Sequence, residues 1–414
     1  MRLQDIDLRL TGFFPALLLP LESHIPITAG LTLLTISNFT LTYPTSLFAF
    51  LTRLFLAPLA IQQFLQYGYG AYVTPGAEID VGLAVVGLYG VMRVLETTFV
   101  SMADDEPPRW VVTSTGERLP PPSTLAGRAG YALDLTTSLR GTSLFADTHW
   151  DWAPRALLES ASTQRPLPRW AFVRARLASL LLQILAIDAV DAIAKSRPWP
   201  RTPPNPHPIT SLPLHEQLVF ALAVCLQTAL SISVPQSMVA VLAVAAGSHP
   251  AGWPAMFDAP FAGTASLRDF WTRRWHLIFR RVFGRLARAV PLLPRAVTVF
   301  ALSALLHMLL MYRLDMHVPA AADPTRAFFD TSILKFFLSQ PLGLLLEALL
   351  VLPLIGRLPA GWQRGAGRVW AWAWMVWAGR YWSDVWVHRG FWLPEERMVG
   401  WSVVRGVLYG NWAA

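Results

Sequence analysis

Long apolar runs recur along this chain of 414 residues, and they restrict its possible folds more than any other feature. A helix needs about 20 mostly apolar residues to cross the hydrocarbon core of a bilayer. Hydrophobic residues make up 54% of the sequence and charged residues only 14%, which would leave a soluble protein with far too much apolar surface. We therefore predict an all-α fold, a polytopic transmembrane helical bundle with about seven to nine spans. The runs lie at residues 10–21, 25–37, 46–66, 80–102, 174–194, 214–246, 296–313, 333–355 and 367–388.

Polar stretches between the runs indicate how the chain is organised. Residues 1–102 are predicted to form N-terminal transmembrane helices, residues 103–173 an extramembrane loop, and residues 174–414 the rest of the bundle. Within the last region, a polar segment at 247–295 is followed by an apolar helix at 296–313. The first two apolar runs are short and interrupted by proline, so the number of spans is given as a range.

Arginine supplies almost all of the net charge of +8, because Lys195 and Lys335 are the only lysines. The arginines cluster between apolar runs, a pattern typical of juxtamembrane charge and not of nucleic-acid binding. Two spans separate the loop 103–173 from the segment 247–295, so both are expected on one side of the membrane. Arginine enrichment predicts that this side is cytosolic. We expect an integral, multi-pass membrane protein of the endoplasmic reticulum.

One segment within 247–295 combines arginines with aromatic residues: Ser266-Leu267-Arg268-Asp269-Phe270-Trp271-Thr272-Arg273-Arg274-Trp275-His276. Such a segment at a membrane edge can hold an anionic ligand. On a helical wheel, the apolar residues from Trp271 to Val290 occupy one arc opposite several arginines, which predicts a helix lying in the membrane interface. A plain anchor against anionic lipid is the competing interpretation.

A single histidine, His307, lies within the apolar run at 296–313. It falls about 11 residues into a helix entering from the cytosolic side, and at about 1.5 Å per residue this places the ring near the membrane midplane. A titratable side chain at that depth is costly unless it has a function. The neutral imidazole tolerated there is the form that a general base requires. The alternative is a histidine that makes a structural hydrogen bond between helices.

The sequence offers little for covalent or metal chemistry. Its one cysteine, Cys225, excludes an intramolecular disulfide and has no visible activating base, so we predict no covalent acyl-enzyme. No metal site is predicted. Asp188 and Asp191 lie three residues apart on one helical face, as a magnesium-dependent prenyltransferase would require, but no second acidic motif completes a metal cage.

Four motifs together resemble the wax synthase-like branch of the membrane-bound O-acyltransferases. The resemblance covers roughly residues 130–390 and is closest in character to fungal terpenoid and meroterpenoid O-acetyltransferases. It makes residues 174–414 an acyltransferase core. The motifs are Arg140-Gly141, the segment Ser266–His276, the Leu-Leu-His that ends at His307, and Gln340-Pro341-Leu342-Gly343.

The resemblance implies an internal tunnel in which His307 is the catalytic base. It implies a second polar residue at His276, where many superfamily members have asparagine, and the role of that histidine stays open. Arg268, Arg273 and Arg274 are then expected to hold the phosphates of coenzyme A. Trp271 and Trp275 would pack the segment into the membrane edge or stack on the adenine.

The same resemblance implies substrates. Acyl-CoA, with acetyl-CoA favoured, is the expected co-substrate, no cofactor is expected to stay bound, and the acceptor is a hydrophobic alcohol such as a terpenoid. A wax ester synthase that acts on long-chain alcohols is the alternative within the family. A membrane transporter is the alternative from another class, although neither internal symmetry nor charges in several central spans are evident. The oligomeric state is left open.

Overall fold

The computed structural model describes most of the chain as helix. The predicted run at 10–21 lies outside the described residues, apart from Leu21. The all-α prediction is confirmed, because the described strands are limited to one short antiparallel pair. The described residues are 21–71, 77–145, 147–155, 157–158, 167–197, 208–257, 263–290, 293–316, 329–389 and 401–412.

Three N-terminal helices pack side by side: α1 (Leu21–Thr40), α2 (Leu47–Tyr69) and α3 (Ala77–Thr98). Helices α2 and α3 approach closely at Gly87, where a Cβ atom would lie 2.9 Å from the Cα of Gly68. Small residues at such a crossing let two backbones approach inside a membrane.

The polar region after α3 is ordered and attached to the bundle. It contains β1 (Trp110–Val112), α4 (Leu125–Thr137) and β2 (Thr148–Trp150), and the two strands are antiparallel. A hydrogen bond of 2.9 Å from the Asn38 amide to the Thr136 hydroxyl joins α4 to the end of α1.

Two long helices, α5 (Arg169–Lys195) and α6 (Leu214–Ala245), pack against each other. Helix α6 runs without interruption through Pro235. Two short helices follow, α7 (Leu267–Asp269), which a π-helical turn continues over Phe270–Arg274, and α8 (Arg280–Ala289).

The remaining helices complete the core. Helix α10 (Thr331–Leu346) packs between α9 (Arg295–Asp315) and α11 (Ala360–His388), and α11 also packs against α6. A π-helical turn at Glu347–Val351 continues α10 as far as Ile355. Helix α12 (Val403–Tyr409) follows them in the chain.

Six helices of the described chain are long and apolar enough to cross a membrane. Helices α1 and α11 have 20 and 29 residues, which also suffices by length. The polytopic prediction is confirmed, while the figure of seven to nine spans stays a prediction. The six are Leu47–Tyr69, Ile79–Ala103, Arg169–Lys195, Leu214–Ala245, Arg295–Asp315 and Thr331–Ile355.

Segments that are distant in sequence meet at one end of the bundle. Arg285, which follows the arginine-rich segment, forms an ion pair of 2.5 Å with Asp104, just after α3. Arg368 near the start of α11 donates to the carbonyl oxygen of Thr264 at 3.2 Å. The contact of Arg285 with Asp104 agrees with the prediction that 103–173 and 247–295 share one side of the membrane. The contact of Arg368 with Thr264 places the start of α11 beside them.

Candidate active site

His307 lies on α9 between aromatic rings of α10 and α11. Its ring stacks on Phe337 with centroids 4.4 Å apart and meets Trp382 edge-on at 5.0 Å. Its Nδ1 atom lies 2.7 Å from the carbonyl oxygen of Ser303. A carbonyl oxygen can only accept, so Nδ1 carries the proton and the neutral ring has its lone pair on Nε2. The fold thus selects the tautomer that has a base at Nε2.

The segment Ser266–His276 begins as a capped helix. The Ser266 hydroxyl accepts from the backbone N–H of Asp269, and the Asp269 carboxylate accepts from the backbone N–H of Ala265, both at 3.0 Å. This reciprocal pattern is a variant of the capping box. The sequence therefore fixes where this helix starts.

A side chain from a different helix also holds the start of the helix at Leu267. The carboxylate of Glu347 accepts from the backbone N–H groups of Leu267 at 2.5 Å and Arg268 at 2.9 Å. Its side chain is buried. Those two amides are among the first of the helix, which lack partners within it.

Aromatic residues of the segment pack into the protein core. Phe270 is fully buried and stacks on Trp275, with centroids 5.2 Å apart. Trp271 meets Phe300 of α9 edge-on at 5.2 Å, and its indole N–H donates to the Gln340 side chain at 3.2 Å. The two tryptophans therefore face protein as well as any ligand or lipid.

The single interfacial helix predicted from Trp271 to Val290 is wrong. The backbone leaves helical geometry at Trp275, where φ is −76° and ψ is 157°, and α8 begins again only at Arg280. Arg281, placed by the helical wheel on the polar face, is instead ion-paired with the buried Glu96 of α3. Contacts with distant helices override the local periodicity.

His276 lies in the irregular stretch created by that break. Its neighbours include the rings of Phe257 at 6.2 Å and Phe279 at 5.7 Å. Burial lowers its pKa to about 3, and the positive charge of Arg140 acts in the same direction. His276 is therefore neutral at physiological pH. The segment that ends in His276 and the helix that carries His307 both contact α10, through Gln340 and Phe337 respectively.

The Nδ1 atom of His276 is buried and has no hydrogen-bond partner among the described residues. A buried polar atom without a partner costs about 1–3 kcal/mol. An ordered water or a substrate group can satisfy such an atom.

Arg140 binds the backbone of Pro254 and Ala255, which precede the segment Ser266–His276 in the chain. Its guanidinium donates to the carbonyl oxygens of Pro254 and Ala255, each at 2.8 Å. Burial lowers the pKa of Arg140 to about 10, so it stays charged. The next residue, Gly141, has φ +83°, and a Cβ atom there would lie 2.6 Å from the Cα of Ala153. The Arg-Gly pair is thus explained by a backbone clamp and a tight turn.

The three arginines assigned to a phosphate site differ in their surroundings. Arg268 and Arg273 have exposed side chains. Arg274 is half-buried and its Nε donates to Asp269 at 3.2 Å. Arg274 therefore also stabilises the fold of the segment.

The motif Gln340-Pro341-Leu342-Gly343 lies in α10 and contacts the same segment. Gln340 is fully buried and accepts from Trp271, as described above. A Cβ atom at Gly343 would overlap the indole of Trp374 and lie 2.8 Å from Leu267. All four sequence motifs therefore meet around one region of the bundle.

Comparison with known proteins finds a family match over part of the chain. Residues 253–331, which include both His276 and His307, match the membrane bound O-acyl transferase family. The chain is similar to this family over these residues. The expected resemblance to the membrane-bound O-acyltransferases is confirmed.

Two fungal relatives carry the name acetyltransferase. Acetyltransferase ataH of Aspergillus terreus is 31% identical over 162 residues, which make up 35% of this chain and 50% of ataH. Acetyltransferase eriL of Hericium erinaceus is 24% identical over 264 residues, 59% of this chain and 64% of eriL. The chain thus spans between half and two thirds of the length of these relatives.

Sequence reasoning missed Glu347. A lone carboxylate inside the apolar run 333–355 was the available signal, because such a group is costly in a membrane unless it is paired or functional. Sequence reasoning also missed a buried cluster of charged side chains, in which Glu96 pairs with Arg93 at 3.1 Å and with Arg281. The two arginines come from α3 and α8, so no local pattern reveals the cluster.

The acidic pair on α5, Asp188 and Asp191, has a structural role. Asp191 is ion-paired with Lys195 at 3.1 Å and with Arg405 of α12 at 2.5 Å. Asp188 accepts from the backbone N–H of Val404 at 2.9 Å. The described residues contain no group of acids, histidines and cysteines suited to a metal ion. These contacts explain the pair without the diphosphate site of a prenyltransferase.

Proposed function

We propose that this protein is a membrane O-acyltransferase that transfers an acyl group from acyl-CoA to a hydroxyl of a hydrophobic acceptor. One observation carries the proposal. Two histidine-bearing segments pack on one helix, α10, which stacks Phe337 on His307 and binds the other segment through Gln340. His307 has a fixed tautomer, and the neutral His276 has a buried ring nitrogen without a partner among the described residues. A base and a hydrogen-bond donor are the two groups that direct acyl transfer requires.

His307 is the general base in the reaction. Its Nε2 takes the proton of the acceptor hydroxyl while the oxygen attacks the thioester carbonyl. The new C–O bond forms, the C–S bond breaks, and the proton passes from the imidazolium to the departing thiolate. The fixed Nδ1–H bond to Ser303 leaves Nε2 as the basic atom and stabilises the imidazolium that forms.

His276 is the donor to the tetrahedral oxyanion. A neutral ring carries a proton on one nitrogen, and the buried Nδ1 can donate it to an oxygen of the substrate. The positive charge of Arg140, fixed by backbone carbonyls, favours negative charge developing near His276. A preorganised donor of this kind contributes about 10²–10³ in rate.

Arg268, Arg273 and Arg274 bind the phosphates of coenzyme A. The exposure of Arg268 and Arg273 supports this assignment, because an incoming phosphate can reach them. Trp271 and Trp275 hold the segment against the bundle through their contacts with Gln340 and Phe270, and one ring face can still meet the adenine. The donor then enters from the cytosol, in the endoplasmic reticulum.

The favoured donor is acetyl-CoA and the favoured acceptor is a terpenoid or meroterpenoid alcohol. The names of the two fungal relatives support the acetyl group. Microsomes that contain the protein should form acetate esters when given acetyl-CoA and a panel of polycyclic terpenoid alcohols. Palmitate esters of long-chain alcohols would support the wax ester synthase instead. Uptake of the alcohol by vesicles without ester formation would contradict an acyltransferase and favour a transporter.

A further inference from the structure

One face of α10 contacts each part of the site. Phe337, Gln340, Gly343 and Glu347 are three or four residues apart, the spacing that aligns side chains along a helix. Phe337 stacks on His307, and Gln340 accepts from Trp271. Gly343 makes room for Leu267 and Trp374, and Glu347 accepts from Leu267 and Arg268. The two histidine-bearing segments are thus fixed to one helix.

Glu347 makes the strongest of these contacts. It is 2% exposed within a helix apolar enough to cross a membrane, where an isolated carboxylate is costly. Two backbone N–H groups at the positive end of the α7 helix offset that cost. Charge-assisted hydrogen bonds are shorter and about twice as strong as neutral ones.

The contact lies at the start of the segment that ends in His276. Ser266 and Asp269 cap the helix locally, but they cannot fix its place relative to α9. The edge-on contact of Trp271 with Phe300 of α9 contributes to that place. Helix α10 adds to it, because it carries Phe337 against His307 and Glu347 against the helix start. A shift at Glu347 would therefore change the distance between His276 and His307.

We infer that Glu347 is a positioning residue that sets the relative placement of His276 and His307 for acyl transfer. This inference rests on the proposed function. The carboxylate has two acceptor oxygens for two amides. Glutamine offers one acceptor oxygen and sets an NH₂ group against the other amide. Alanine offers none.

Three variants test the inference in detergent or nanodiscs: Glu347→Gln, Glu347→Ala and the control Asp188→Asn. Asp188 is also 2% exposed and also accepts a backbone N–H, but on α12, away from the histidines. We expect kcat to fall about tenfold for Glu347→Gln and about 100-fold for Glu347→Ala, because small misplacements of reacting groups have large effects. The KM for acyl-CoA should change by less than about threefold. Asp188→Asn should lower the melting temperature by about as much as the Glu347 variants do. Its kcat should nevertheless stay within about twofold of the wild-type value.

Amide hydrogen exchange gives a readout independent of catalysis. The amides of Leu267 and Arg268 should exchange faster in both Glu347 variants and at the wild-type rate in Asp188→Asn. A kcat loss no larger than that of Asp188→Asn, or unchanged exchange at Leu267 and Arg268, would overturn the role of Glu347 while leaving the acyltransferase proposal intact. A wild-type protein that forms no ester would instead overturn the proposed function.

Discussion

The Nδ1–H group of His307 donates a hydrogen bond of 2.7 Å to the carbonyl oxygen of Ser303, one turn earlier on the same helix. The bond satisfies one ring nitrogen within α9 itself, so His307 does not need another helix for that partner. This argues against the structural alternative, in which a histidine joins two helices through hydrogen bonds. It leaves Nε2 as the atom for chemistry.

Replacement of the base is the most direct test. His307→Ala should lower kcat for ester formation by about 10²–10⁴, because a positioned base is lost. Rates of ester formation in membranes with matched protein levels would measure this. His215→Ala is the matched control, since the His215 side chain is 76% exposed, and it should retain wild-type activity. More than about a tenth of wild-type activity in His307→Ala would remove His307 from the base role.

The donor role of His276 predicts a graded series. His276→Ala should lower kcat by about 10²–10³ with little change in KM, because the oxyanion loses a donor. His276→Asn should retain more activity than alanine, since the amide can still donate a hydrogen bond. Steady-state kinetics with saturating acyl-CoA would rank the variants. Equal activity of the asparagine and alanine variants would contradict hydrogen-bond donation.

Burial of His276 predicts an acid sensitivity of the fold. Its pKa is about 3 in the folded protein and 6.5 in an unperturbed histidine. Between these values the unfolded chain binds a proton that the folded chain does not, so the contribution of His276 to stability falls as the pH falls from about 6.5 toward 3. His276→Asn should therefore melt progressively higher relative to wild type as the pH is lowered from about 7 to 4. A difference in melting temperature that stays constant with pH would contradict this.

Donor binding should be separable from membrane anchoring. Arg268→Ala combined with Arg273→Ala should raise the KM for acyl-CoA by about tenfold or more, since charged contacts to phosphate are lost, while the KM for the alcohol stays nearly constant. Arg364→Ala provides a control with an exposed arginine in α11. If the arginines contact only lipid, neither KM will change.

The orientation can be tested at the two ends of α6. In a Cys225→Ala background, cysteine in place of Ala246 should react with an impermeant maleimide in sealed, right-side-out microsomes, because that end is predicted to be cytosolic. Cysteine in place of Ser211, just before the other end of α6, should react only after detergent opens the vesicles. The opposite pattern would reverse the topology and leave the arginine segment away from its donor.

Local composition was enough to predict the class of fold. Each span depends on its own 20 or so residues, because a helix satisfies its backbone hydrogen bonds internally and lipid accepts its apolar surface. His307 could be found in the same way, since a titratable residue in an apolar run needs no partner to be noticed. The capped start of the helix at Ser266 is likewise visible in sequence, because Asp269 is only three residues away.

The tertiary structure decided the shape of the site. The periodicity from Trp271 to Val290 predicts one helix, but Trp271 binds Gln340, 69 residues later, and Arg281 binds Glu96, 185 residues earlier. Such contacts act between segments that meet only in the folded bundle, and they outweigh the helical preference of the residues between them. The break at Trp275, the buried His276 and the amides held by Glu347 follow from them. Periodicity reports neighbours three or four residues apart, so it cannot reveal partners that distant.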